Sequence, residues 1–199
     1  MSAIIGLMKV LAIPLGLLNI LGGIVSGIWL AILGEWGTLG WGLLAFVVSG
    51  IALKLVLMPS TLLVIPAVHF GEKGNLFAMY ILAFLSYLYV IAVVTVWCVA
   101  VLYFFAKRAD ASSIIPMLIW SYGVATGPWA WMAQKDRQGG RVSASVICVF
   151  FSQVGYVIMI LAILLTHMTL INVIILFLVV MFIGLVVQFK AYLAVLRAT

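Results

Sequence analysis

Charge is what this sequence has least of: among 199 residues there are ten Lys or Arg and four Asp or Glu. Nothing is ionised between Lys9 and Glu35, between Lys73 and Lys107, between Asp110 and Lys135, or over the 48 residues from Val142 to Phe189. Soluble folds have no use for such blocks. A bilayer core about 30 Å thick requires about 20 apolar residues per helix. The scarcity excludes an ordinary soluble protein and points to an all-α, polytopic transmembrane helix bundle.

Carboxylates are scarcer still, and all four (Glu35, Glu72, Asp110 and Asp136) fall in loops or at block edges. Proton-coupled transporters place Asp, Glu or His inside the bundle, and headgroup transferases that use Mg²⁺ need clustered acids. Neither pattern is present. The chain has two His and two Cys. His69 and His167 are expected at opposite ends of the bundle, as are Cys98 and Cys148, so no Zn²⁺ cluster or disulfide is expected within one subunit. Ser26 and Ser49 precede glycines, but no His shares their level for an intramembrane serine protease. They read as small packing residues. No cofactor and no metal are implied.

Hydrophobic residues make up 68% of the chain, against about half in globular proteins. The formal charge is +6, but the basic residues sit at block edges. They suit anionic lipid headgroups and offer no basic patch for nucleic acid. The N-terminal apolar run, Val10 to Gly34, is 25 residues long. That exceeds the roughly 7–15 of a signal h-region, so it reads as a retained first span. The whole chain is expected to be one integral membrane domain.

Six helices fit the pattern, over about 10–33, 39–58, 76–105, 112–133, 142–165 and 169–189. The last two share one block, which as a single helix would be about 72 Å long. It must fold back near Thr166-His167-Met168-Thr169. Connections then alternate between sides, with Lys9, Lys73, Lys135, Arg137, Arg141, Lys190 and Arg197 on one and Lys107 and Arg108 on the other. The positive-inside rule makes the richer side, with both termini, cytoplasmic. Trp129 and Trp131 beside Lys135, and Tyr103 to Phe105 beside Lys107, fall where aromatic belts belong. Pro59 and Pro66 disfavour helix before them. The second helix is therefore expected to end near Met58, leaving 59–71 as an interfacial or re-entrant segment.

Three features stand apart from this pattern. Lys54 is the only ion inside an apolar block. Four residues before Met58, it is expected to snorkel to the cytoplasmic headgroups, or else to bind an anionic substrate or lipid. Asn19, Gly23 and Gly27 recur at four-residue spacing on the first helix. They form a small-residue packing seam, either within the bundle or between protomers. The fourth helix carries Ser121, Tyr122, Thr126 and Gly127-Pro128, expected to kink or interrupt it. With Tyr87 of the third helix near midplane, these hydroxyls would outline a modest polar pocket. The loop from Gln134 to Arg141 reads as topology-setting charge with headgroup contact.

The function expected from all this is non-enzymatic: a multi-pass protein of a bacterial-type inner membrane, a component or accessory of a membrane assembly. Its partners would be membrane lipids, other membrane subunits or further copies of itself, and not nucleic acid. The alternative is a small-solute or lipid transporter with its site near Lys54 and the broken fourth helix. A lipid-modifying enzyme comes third, handicapped by the missing carboxylates.

Overall fold

A computed structural model describes residues 2–137, 144–166 and 169–196. Six α-helices run through them: α1 (Ser2–Ile32), α2 (Trp36–Glu72), α3 (Leu76–Arg108), α4 (Ile114–Arg137), α5 (Ala144–Thr166) and α6 (Leu170–Leu196). No strand occurs among the described residues. Three stretches there are long and apolar enough to cross a membrane, namely Ile13–Ile32, α2 and α3. Val149–Leu165 and Ile171–Val187 are apolar but shorter.

The helix ends follow from local chemistry. Gly34 takes φ +79, which lets the Glu35 N–H reach back to the Leu30 carbonyl at 2.9 Å. Gly74 takes φ +76 and does the same for the Asn75 N–H and the Phe70 carbonyl, also at 2.9 Å. Both are glycine-terminated helices of the Schellman type, in which a side chain would be strained. Before α4, the Asp110 carboxylate accepts from the Ser113 N–H at 2.9 Å and from the Ser112 and Ser113 hydroxyls. That is a capped start for a helix whose first N–H groups lack partners.

The second helix differs from expectation. It does not end near Met58 but continues unbroken through Pro59 and Pro66 to Glu72. Pro59 cannot donate to the Leu55 carbonyl four residues earlier, and three hydroxyls bond to other carbonyls of the flanking turns. Ser60 donates to the Leu57 carbonyl at 2.7 Å. From α3, Tyr89 donates to the Val56 carbonyl at 2.6 Å and Ser86 to the Ser60 carbonyl at 3.1 Å. Two of these donors come from α3, so the neighbouring helix holds the turns on either side of the proline.

The fourth helix is likewise continuous from Ile114 to Arg137, with Pro128 inside it; Gly127-Pro128 does not break it. Thr126 donates to the Tyr122 carbonyl at 2.8 Å, and the Trp97 indole N–H to the Ala125 carbonyl at 3.1 Å. This helix is the hub of the fold. It packs on α1, α2, α3 and α5, while α6 is carried by α5 and touches α3. Met117, Leu118, Tyr122 and Ala125 are therefore buried, in one core with Tyr87, Tyr156 and Phe177.

Cross-helix contacts fix the registers. Gly42 and Phe46 of α2 lie against Trp120 and Gly127 of α4, and Trp97 of α3 against Ala125. Asn19 meets Thr126, Tyr156 meets Ser121, and Gly184 meets Phe151. Taking the helices as near parallel, at 1.5 Å per residue, the backbones of Lys9, Lys54, Lys135 and Lys190 fall within about 5 Å of one level. That level is roughly 30 Å from Glu35, Lys107 and Asp110. By the same reckoning α4 ends opposite Leu57 of α2 and Leu85 of α3. The remainder of the α2–α3 hairpin is an arm extending past it.

Candidate functional site

Two sets of residues singled out separately in the sequence meet between α1 and α4. Asn19 donates its side-chain amide to the Thr126 hydroxyl at 2.6 Å. The Thr126 hydroxyl in turn donates to the Tyr122 carbonyl. The Tyr122 hydroxyl returns to α1, donating to the Leu15 carbonyl at 3.2 Å. Their closeness depends on glycine. Gly123 faces the Asn19 carbonyl and the Gly23 Cα, and Gly27 lies against the Trp120 ring. Gly27 thus packs against α4, and the Gly23 Cα lies beside Gly123, where small residues let backbones approach.

Ser121 points the other way. It accepts from the Tyr156 hydroxyl of α5 at 3.0 Å and donates to the Leu118 carbonyl at 2.7 Å. Tyr122 and Tyr156 bring their rings to 6.0 Å. Tyr87 is buried on α3 in the same core. The hydroxyls of α4 therefore bond to helix carbonyls and to neighbouring helices. Such internal satisfaction is what a low-dielectric interior demands.

An open feature lies beside this network. α1 and α2 diverge from the turn at Gly34, touching little, while both lean on α4. The space between them is a groove of about 710 Å³, floored by Trp120, Gly123 and Val124 and walled by Asn19, Gly23 and Gly27 of α1 and Gly40, Gly42 and Phe46 of α2. Its lining is almost entirely apolar. A side chain at Gly23 or Gly40 would meet nothing within 4 Å, whereas one at Gly42 would collide with the Trp120 indole. The Trp120 N–H is buried there and has no hydrogen-bond partner among the described residues.

Other expected positions are placed as follows. Lys54 is not near a helix end: 18 residues of α2 precede it and 18 follow it, and its side chain lies outside the described residues. His69 is exposed near the end of α2, and Cys98 is fully buried on α3. His167, the Cys148 side chain, residues 138–141 and the side chains of Trp129 and Trp131 lie outside the described residues. At the opposite end Lys107 stands over the Tyr103 ring at 5.9 Å and Arg108 over Phe104 at 3.7 Å. No group of three or more His, Cys, Asp or Glu able to hold a metal occurs among the described residues.

The groove walls on α2 and the partnership with Tyr156 were not foreseen. The cluster Gly37, Gly40 and Gly42 was the available signal for the first, since glycines in an apolar helix mark close approach. Tyr156, alone in an apolar block, gave none. Comparison of the chain with protein-family models, curated proteins and solved structures finds no match.

Proposed function

We propose that this chain is a multi-pass membrane protein that acts by holding other membrane components, as a subunit or accessory of a membrane assembly. The groove between α1, α2 and α4 carries the proposal. It is apolar and has glycines on both walls, so a transmembrane helix of another subunit can approach its backbone closely. The described hydroxyls beside it are spent on structure, which favours a binding role over chemistry.

In this reading all six helices cross a bacterial-type inner membrane, with both termini cytoplasmic. The two charge levels support it. Their separation of roughly 30 Å equals the hydrocarbon thickness, and the level with more Lys and Arg is the cytoplasmic one. Lys54 shares that level, which supports an anchoring role at the headgroups.

A photo-crosslinking residue introduced at Gly23 or Gly40 tests the proposal in native membranes. A discrete protein adduct, absent when the residue sits at exposed Val47, is the expected result. A second reading is favoured by the apolar lining, because 710 Å³ lies within the range of small-molecule sites: a lipid-binding or lipid-transporting protein. An adduct to lipid alone would establish that one instead. For the topology, Arg137→Cys should react with a membrane-impermeant maleimide only from the cytoplasmic side and His167→Cys only from outside. Reaction of both from one side would overturn the six-span arrangement.

A further inference from the structure

The arm past the end of α4 consists of residues 59–72 of α2 and 76–84 of α3. Its two helices hold each other through a narrow seam. Ser60, Ala67 and Met79 are buried, Gly71 lies against the Met79 sulfur, and Ser86 bonds across to the Ser60 carbonyl at 3.1 Å. Away from that seam the described surface is mainly apolar, with His69 and Glu72 exposed near the tip. Leu62 and Ile65 are each 67% exposed and Phe77 is 77% exposed. Val64, Val68, Ile81 and Phe84 continue the exposed apolar surface around the hairpin. No charged residue lies between Lys54 and Glu72.

We infer that this arm is a membrane-contacting element whose partner is the lipid of the cytoplasmic leaflet, with the arm inclined at Pro59 so that acyl chains cover it. Its surface selects the occupant. A protein partner covers one face of a helical hairpin, whereas here exposed apolar residues lie on both helices, Leu62, Ile65 and Val68 on one and Phe77, Ile81 and Phe84 on the other, as on helices in lipid. Length favours the inclination. A helix of 37 residues is about 55 Å long, against about 40–45 Å for a bilayer with its headgroup layers. The hinge is available because Pro59 sits where the support of α4 ends, and prolines are where helices bend. Charge agrees with it: Lys54 at the base and His69 and Lys73 at the tip suit anionic headgroups, with Glu72 the single opposing charge.

The inference rests on the membrane reading above but not on what fills the groove. Its test places nitroxide labels at Leu62→Cys, Ile65→Cys and Phe77→Cys in a Cys98→Ala/Cys148→Ala background. The protein is reconstituted in phosphatidylethanolamine–phosphatidylglycerol vesicles, with Val47→Cys as the lipid reference and Lys73→Cys as the interface reference. Collisions with oxygen should exceed those with a water-soluble nickel chelate as strongly at 62, 65 and 77 as at 47, and several-fold more than at 73. High nickel accessibility would put the arm in water, and low accessibility to both would put it under a second copy of the chain; either overturns the inference. Failure at 47 as well would instead indict the membrane reading. In the unaltered protein, a lipid-soluble diazirine probe should label peptides from 59–70 and 76–85, and their complete protection would also overturn it.

Discussion

The Asn19 amide of α1 lies 2.6 Å from the Thr126 hydroxyl of α4, joining positions 107 residues apart. Interhelical bonds between polar side chains in apolar surroundings average about 0.6 kcal/mol and reach about 1.7. Asn19→Leu and Thr126→Val should each lower stability. In a double-mutant cycle read by denaturant unfolding in detergent, they should show a coupling energy in that range. Strict additivity would mean the bond contributes nothing.

Two glycines of α2 only two residues apart should respond oppositely. At Gly42 an added methyl collides with the Trp120 indole, so Gly42→Ala should cost about 1–3 kcal/mol through overpacking. At Gly40 it meets open space, and Gly40→Ala should gain roughly 0.5–1 kcal/mol from helix propensity. Thermal unfolding of the two variants side by side decides this.

Tyr89 should brace the turn before Pro59. The Tyr89 hydroxyl donates to the Val56 carbonyl beside the proline interruption. Tyr89→Phe should destabilise the chain by about 1 kcal/mol. The cost should persist in a Pro59→Ala background, because an N–H regained at 59 serves the carbonyl four residues earlier, that of Leu55, and not that of Val56. Hydrogen exchange of amides 55–61 reports the effect locally, and a cost that vanishes with Pro59→Ala would refute this independence.

Asp110 should make the start of α4 sensitive to acid. The Ser113 hydroxyl first, and then the Ser112 hydroxyl and the Ser113 backbone N–H, hold its carboxyl below the ordinary 3.8. A carboxylate with a lowered folded pKa stabilises the fold above its unfolded value, and that stability is lost as pH falls through the folded value. Asp110→Asn should therefore exchange amides 113–116 faster than wild type at neutral pH. The difference should close below about pH 3.8. A gap that persists in acid would exclude this role for the carboxylate.

What could be read in advance and what could not divide along physical lines. The apolar blocks, and with them α3 beginning at Leu76, were legible because hydropathy and charge are properties of the chain one residue at a time. That Asn19, Gly23 and Gly27 share one face of α1 was legible, since four-residue spacing places residues there. The fate of α2 was not. Local rules end a helix at Pro59, whereas the turns on either side of it are held by another helix, through Tyr89 and Ser86. Lys54 changed with it, from a residue near a helix end to the midpoint of the longest helix.

The sequence by itself determined that this is a helical chain built in apolar lengths with little titratable chemistry inside them, because composition alone sets the preferred solvent. Tertiary structure decided where the exceptions went. It set Asn19 against Thr126, tied Ser121 to Tyr156, carried α2 through two prolines and opened the groove above Trp120. Each depends on a partner far away in the chain, and a polar group removed from water is explained only by the group that satisfies it.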